Sequence, residues 1–181
     1  MKKHLFIIAV LCGILTACAT PTEVIISQMP GYSSAPDWIM QTGGKNEKFV
    51  FLVGTAEADG EALSSAVVKL AEREARRGFA VAIQSEIESF ARDELGMDKV
   101  QSEQVAQETV KLKANGIFVE KTYWQKTADV SGAVRIKAFA YATIPVGEYN
   151  NAIKRAKDKA KGKAVSEEVK KKAEEKWKED E

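Results

Sequence analysis

Reactive side chains are few in this chain, and they cluster at its start. Cys18 follows Leu15, Thr16 and Ala17 at the end of a short apolar run, and Cys12 lies within that run. His4 is the only histidine. Lys2 and Lys3 give a positive start, residues 5–15 are apolar, and Ala17 is a small residue at a cleavage position. This is the three-part layout of a secretory signal. Eleven helical residues would span about 16 Å, against a hydrocarbon core of about 30 Å, so the run is too short to cross a bilayer.

Leu15-Thr16-Ala17-Cys18 has the form of a bacterial lipobox. Its chemistry is a thioether from Cys18 to diacylglycerol, cleavage between Ala17 and Cys18, and N-acylation of the new terminus. Each buried methylene contributes about 0.8 kcal/mol, so two or three acyl chains hold a protein on a membrane where one does not. Ala19, rather than an aspartate, resembles the sorting signal for the outer membrane of two-membrane bacteria. The expectation is an outer-membrane lipid anchor, with the leaflet left open.

Loss of residues 1–17 removes His4 and Cys12, and lipid blocks Cys18. The mature chain then has no histidine and no free thiol. That excludes a disulfide within the chain, a His/Cys zinc site, and Ser-His or Cys-His nucleophiles. No EF-hand spacing is present. The chain has formal charge +1, and cleavage of the leader brings it to about −1, which gives no case for nucleic-acid binding. No metal, cofactor or catalytic residue is expected. Gly54 and Gly60 lack the Gly-Lys-Ser/Thr or G-x-G-x-x-G context of a phosphate loop. Glu86 and Glu88, on alternate positions of a predicted strand, share a face and are an example of a carboxylate pair that could do acid–base work.

The elements that must position these residues divide the chain into four parts. They are a leader over 1–17, a tether over 18–35, a folded domain over 36–147 and a charged helical tail over 148–181. Trp38 and Ile39 read as an anchor sealing the core edge. Residues 49–53 read as a strand ended by Gly54-Thr55-Ala56. Asp59 then caps a helix in which Leu63, Ala66, Val67, Leu70, Ala71 and Ala75 form the apolar stripe. Gly78 ends or bends it. Val81, Ile83, Ser85 and Ile87 alternate with polar residues and predict a half-buried strand. A weaker helix follows over 100–114, broken at Asn115-Gly116. Two last strands form a hairpin, with Ile117, Val119 and Tyr123 opposite Phe118, Thr122 and Trp124. Ala138, Ala140 and Ala142 let a helix approach the sheet closely. Their strand's other face carries Arg135, Lys137, Phe139 and Tyr141, a candidate interaction face. The fold class expected is α+β: a small, mostly antiparallel four-stranded sheet with a long helix on one face, in the order β-α-β-(α)-β-β.

Several of these segments together resemble the Lpp-twenty family of bacterial outer-membrane lipoproteins, which is similar to flagellar basal-disk and flagellar-assembly lipoproteins. The matching residues are Pro36-Asp37-Trp38, Val53-Gly54-Thr55-Ala56, the alanine-rich helix over 61–75, the run into Ser85 and Ser89, Gly116-Ile117-Phe118-Val119 with Tyr123-Trp124, and residues 138–142. The resemblance covers residues 36–146. It implies an outer-membrane-linked, non-catalytic helix-on-sheet domain with roles in assembly, motility structures or surface antigens. The long charged extension and the stretch between Phe90 and Gly116 go beyond that pattern.

In the tail, Glu167/Lys171, Glu168/Lys172 and Glu174/Lys178 are spaced to pair along a helix. Gly162 would split the segment in two. Val169, Ala173 and Trp177 form a thin apolar line, with Trp177 as a further docking residue, and the basic stretch over 154–163 suits an anionic lipid or polymer. Two functions fit. One is a structural or assembly lipoprotein of the envelope, with flagellar association as one form, whose partners are membrane lipid and a protein or second copy. The other is a periplasmic or surface ligand carrier with a pocket between helix and sheet.

Overall fold

The computed structural model describes residues 23–109 and 116–179, with the side chains of residues 109 and 173–179 undescribed. The leader, Ala17 and Cys18 lie outside the described residues. The elements are β1 (Val24–Gln28), a 3-10 turn (Asp37–Met40), β2 (Gly43–Lys45), β3 (Phe49–Asp59), α1 (Ser64–Asp93), α2 (Lys99–Thr109), β4 (Phe118–Ala128), β5 (Val134–Pro145) and α3 (Val146–Glu179). The class is α+β, as the sequence suggests, but the sheet has five strands in the order β1-β4-β5-β3-β2. Every pairing is antiparallel.

The helices cover one face of this sheet, and close approach is built into it. Gly54 pairs with Ala140 in the middle of β3 and β5. A Cβ on Gly54 would sit 2.2 Å from both the Ala71 carbonyl oxygen and the Ala75 nitrogen. Ala138, Ala140 and Ala142 are fully buried beside it. The alanine pattern of the last strand therefore does what its sequence implies. Val67, Ala71, Ala75 and Phe79 meet Ile136, Ile144 and these alanines in a first core. A second core is purely helical: Ile83, Ile87 and Phe90 of α1, Val105 and Ala106 of α2, and Ile153, Ala156 and Ala160 of α3.

Four expectations are corrected. Residues 81–87 are no strand; α1 runs unbroken for 30 residues through Gly78. Phe79, Ile83, Ile87 and Ala91 are spaced by four, which satisfies a helical stripe and a two-residue alternation alike. Val81, 54% exposed, shows which pattern wins. On the stripe's other flank, Leu63 and Leu70 are exposed. Second, β3 does not end at Gly54 but continues to Asp59, and α1 is preceded by Leu63 with no side-chain cap. Third, the tether over 18–35 contains an edge strand, since β1 pairs with β4. Fourth, the tail over 148–181 is half core: α3 is one continuous helix through Gly162, and Ile153, Ala156 and Ala160 are buried. Residues 165–172 are exposed, so the helix projects from the body beyond that point. Residues 110–115, which hold the end of the second expected helix, lie outside the described residues.

Candidate functional site

Among the described residues no helix covers the other face of the sheet, and the candidate interaction residues lie there. Odd-numbered residues of β5 point to it, opposite odd-numbered residues of β3 and β4 by register. Phe139 stacks on Tyr123 at 6.2 Å between centroids, and Tyr123 meets Tyr32 edge-on at 5.2 Å. Tyr141 stacks on Phe51 at 5.2 Å and takes the edge of Trp38 at 6.0 Å. Lys121 lies over the Tyr141 ring at 5.5 Å. An aromatic row thus crosses four elements of one sheet face.

Local chemistry fixes this row. The Tyr123 hydroxyl donates to Gln28 Oε1 at 2.8 Å, and Gln28 Nε2 donates to the Tyr32 carbonyl at 2.7 Å. These bonds tie β1 and the segment after it to the sheet. Burial pushes the Tyr123 hydroxyl pKa up, with the nearby Tyr32 adding to the effect. Burial also raises that of Tyr141, helped by the Glu120 carboxylate. The side assignment of β4 needs correction. A bulge falls between Val119 and Lys121, so Val119, Thr122 and Trp124 face the helices while Tyr123 faces outward with Lys121. One inserted residue reverses every later side chain.

Phe139 and Tyr141 are only half-exposed, with Tyr123 against the first and Trp38 and Phe51 against the second. Trp38 therefore seals the outer sheet face, not the helical core. The basic residues are already paired. Arg135 donates to Glu57 at 2.7 Å, which raises its pKa. Lys137 donates to both Glu23 oxygens at 2.7 Å, which holds the Glu23 carboxyl below its usual range. The four residues Arg135, Lys137, Phe139 and Tyr141 come together on one face. The backbone of Trp177 belongs to the last turns of α3, and its side chain lies outside the described residues. Tyr32, Phe51, Lys121 and Tyr123 are members the sequence reading did not assign. Tyr32 and Tyr123 are 91 positions apart, so no local pattern connects them.

The other candidate chemistries separate. Glu86 and Glu88 sit on a helix, where a spacing of two turns side chains about 200° apart. Glu86 pairs with Lys157 at 3.2 Å, and Glu88 accepts from Gln84 at 3.0 Å. The basic stretch over 154–163 holds α3 in place. Lys157 and Lys161 lie over the Phe90 ring at 5.2 and 5.5 Å, and Lys163 pairs with Glu108. A shallow groove of about 550 Å³ runs past Lys45, Glu86, Tyr149 and Lys154. Among the described residues no cluster of three His, Cys, Asp or Glu side chains is placed to hold a metal ion. Among them no helix is long and apolar enough to cross a membrane. Comparisons with protein-family models, with curated proteins and with solved structures find no match for this chain.

Proposed function

We propose that this protein is a membrane-anchored lipoprotein of the bacterial envelope, held through acylated Cys18, with a non-catalytic structural or assembly role. The open aromatic sheet face carries the reading. Helices fill one side of the sheet, while Tyr32, Trp38, Phe51, Phe139 and Tyr141 line the other around a lysine-capped ring. Rigid aromatic side chains that order little entropy on contact are the usual anchors of protein interfaces. The tight seat of α1 on Gly54 and the alanines leaves little volume between helix and sheet, which counts against the carrier reading. A structural role within the Lpp-twenty group, flagellar or otherwise, remains part of this proposal.

Two measurements test it. Radiolabelled palmitate should enter the wild type and fail to enter Cys18→Ala. A photo-crosslinker at position 139 or 141 should capture one defined species in cells, either a dimer or a single partner, while one at exposed Arg73 on α1 should not. Uptake of palmitate by Cys18→Ala refutes the anchor, and equal capture from both faces refutes the interface.

A further inference from the structure

The bulk of the expected tether is folded. Glu23 is the first described residue and β1 starts at Val24, six positions after Cys18. A chain spans at most about 3.6 Å per residue. The Val24 Cα therefore lies within about 22 Å of the Cys18 Cα, less than the length of an 11-residue strand, about 36 Å.

Val24 also marks one end of the sheet. It pairs with Ala128, the last residue of β4. Asp59, the last of β3, pairs with Arg135 near the start of β5. The Gly60 N–H donates to the Val134 carbonyl at 2.9 Å, and α1 begins four residues on. Large apolar side chains are exposed here: Leu63 at 75%, Val130 at 78% and Val24 at 63%, with Ile25 and Ile26 beside them on the edge strand. Val130 is held out by a built turn. Asp129 Oδ1 accepts from the Ser131 hydroxyl at 2.6 Å, the Ser131 N–H at 2.8 Å and the Ala133 N–H at 3.0 Å. Gly132 takes the left-handed conformation, φ 82°, that closes it.

We infer that this end of the sheet rests on the phospholipid bilayer, with Val24, Leu63 and Val130 in the headgroup–acyl boundary. The inference builds on the acylation of Cys18. The short link from that residue brings this end, and not the opposite one, to the membrane. The charged groups nearby are mainly Glu23, Asp59, Glu61 and Asp129, and Arg135 and Lys137 are neutralised by Glu57 and Glu23. Contact is then apolar and does not rest on attraction to anionic lipid. The patch orients a body that the acyl chains hold. β5 leads away from the membrane to Pro145, where α3 starts. Lys157 meets Glu86 and Lys161 meets Phe90, so α3 climbs α1 in the same direction. Its projecting end points away from the bilayer.

Acylation leaves the mature chain without a thiol, so an introduced cysteine is a unique label site. The acylated Val130→Cys, Leu63→Cys and Lys48→Cys proteins, each carrying an environment-sensitive fluorophore, are reconstituted on phosphatidylethanolamine–phosphatidylglycerol vesicles. Lys48 is exposed at the far end, where its carbonyl accepts from the Val146 N–H at 2.9 Å. All three positions lie outside the core, so the labels leave folding intact. Positions 130 and 63 should shift to the blue and be quenched by nitroxide-bearing lipid, at low and at high salt, and position 48 should do neither. If palmitate is on Cys18 and positions 130 and 63 behave like 48, the placement falls while the anchor stands. If Cys18 carries no palmitate, the anchor falls and the placement with it.

Discussion

Around Gly54, α1 comes within backbone distance of the sheet, whereas around Ile87 the same helix meets α2 and α3 in a core that large side chains share with alanines. In the first region the contacts are glycine and alanine, and a single added carbon would strike two backbone atoms at 2.2 Å. In the second, Ala106, Ala156 and Ala160 are joined by Ile83, Ile87, Phe90 and Ile153, whose rotamers can adjust to a neighbour. Tyr149 packs against both. Close approach demands small residues at set positions and tolerates no growth. Side-chain interlocking tolerates exchange of shape but not loss of volume. α1 therefore works as one strut with two kinds of joint, and that continuity is the feature to attack first.

Gly78→Pro attacks it directly. Proline inside a helix removes a hydrogen bond and clashes with the preceding turn, at a cost of about 3 kcal/mol or more. For a chain of this size that is a fall in Tm of about 10 °C. Calorimetry should show it, and hydrogen exchange should show α2 and α3 losing protection before β3 and β5. A variant as stable as the wild type would mean that α1 is already broken at Gly78, as the sequence pattern suggests.

Gly54→Ala probes the other joint. The added Cβ forces α1 off the sheet, a cost of about 3 kcal/mol. Protection should fall first in β3 and β5, the reverse of the proline variant. An unchanged melting curve would show that helix and sheet are farther apart than the Gly54 contact states.

These two glycines also mark how far the sequence could be read. Alanines at 138, 140 and 142 announce a close helix, because two-residue spacing and small size have one simple meaning on a half-buried strand. The candidate face at 135–141 was legible for the same reason. Residues 79–91 were not, since spacing by four serves both a helix and an alternating strand, and a glycine at 78 resembled an end. Only the long-range partners Ala106 and Ile153 decide the matter. β1 failed differently: its hydrogen bonds go to β4, about a hundred positions later, and three β-branched residues carry no trace of that partner. The same distance hid Tyr32 from Tyr123.

Tyr123→Phe tests that distant tie. The ring and its stack on Phe139 remain, and the bond to Gln28 is lost, for about 1 kcal/mol. Exchange should quicken in β1 and not in the helical region. Equal effects in both regions would show that the edge strand is not an independent part of the sheet.

The smallest effects come from two carboxyls at the extremes of the molecule. The Ser131 hydroxyl and backbone N–H groups hold the Asp129 carboxyl below its usual range. Lys172, 2.7 Å away, does the same to Glu168 on the projecting part of α3. A depressed carboxyl contributes stability above its unfolded pKa and loses it as the pH falls through the lower folded value. Both the turn and the projecting helix should hold at pH 5 and loosen below about pH 4, the ordinary range for these groups. Salt separates them. Screening weakens an exposed ion pair along a helix, but not short hydrogen bonds within a turn. Amide shifts at Ser131 should therefore titrate at the same pH in low and high salt, while those at Glu168 should move toward the ordinary glutamate value in high salt. Identical salt responses would mean that the Asp129 turn, and the presentation of Val130 that depends on it, is an electrostatic feature of the surface rather than a built part of the sheet.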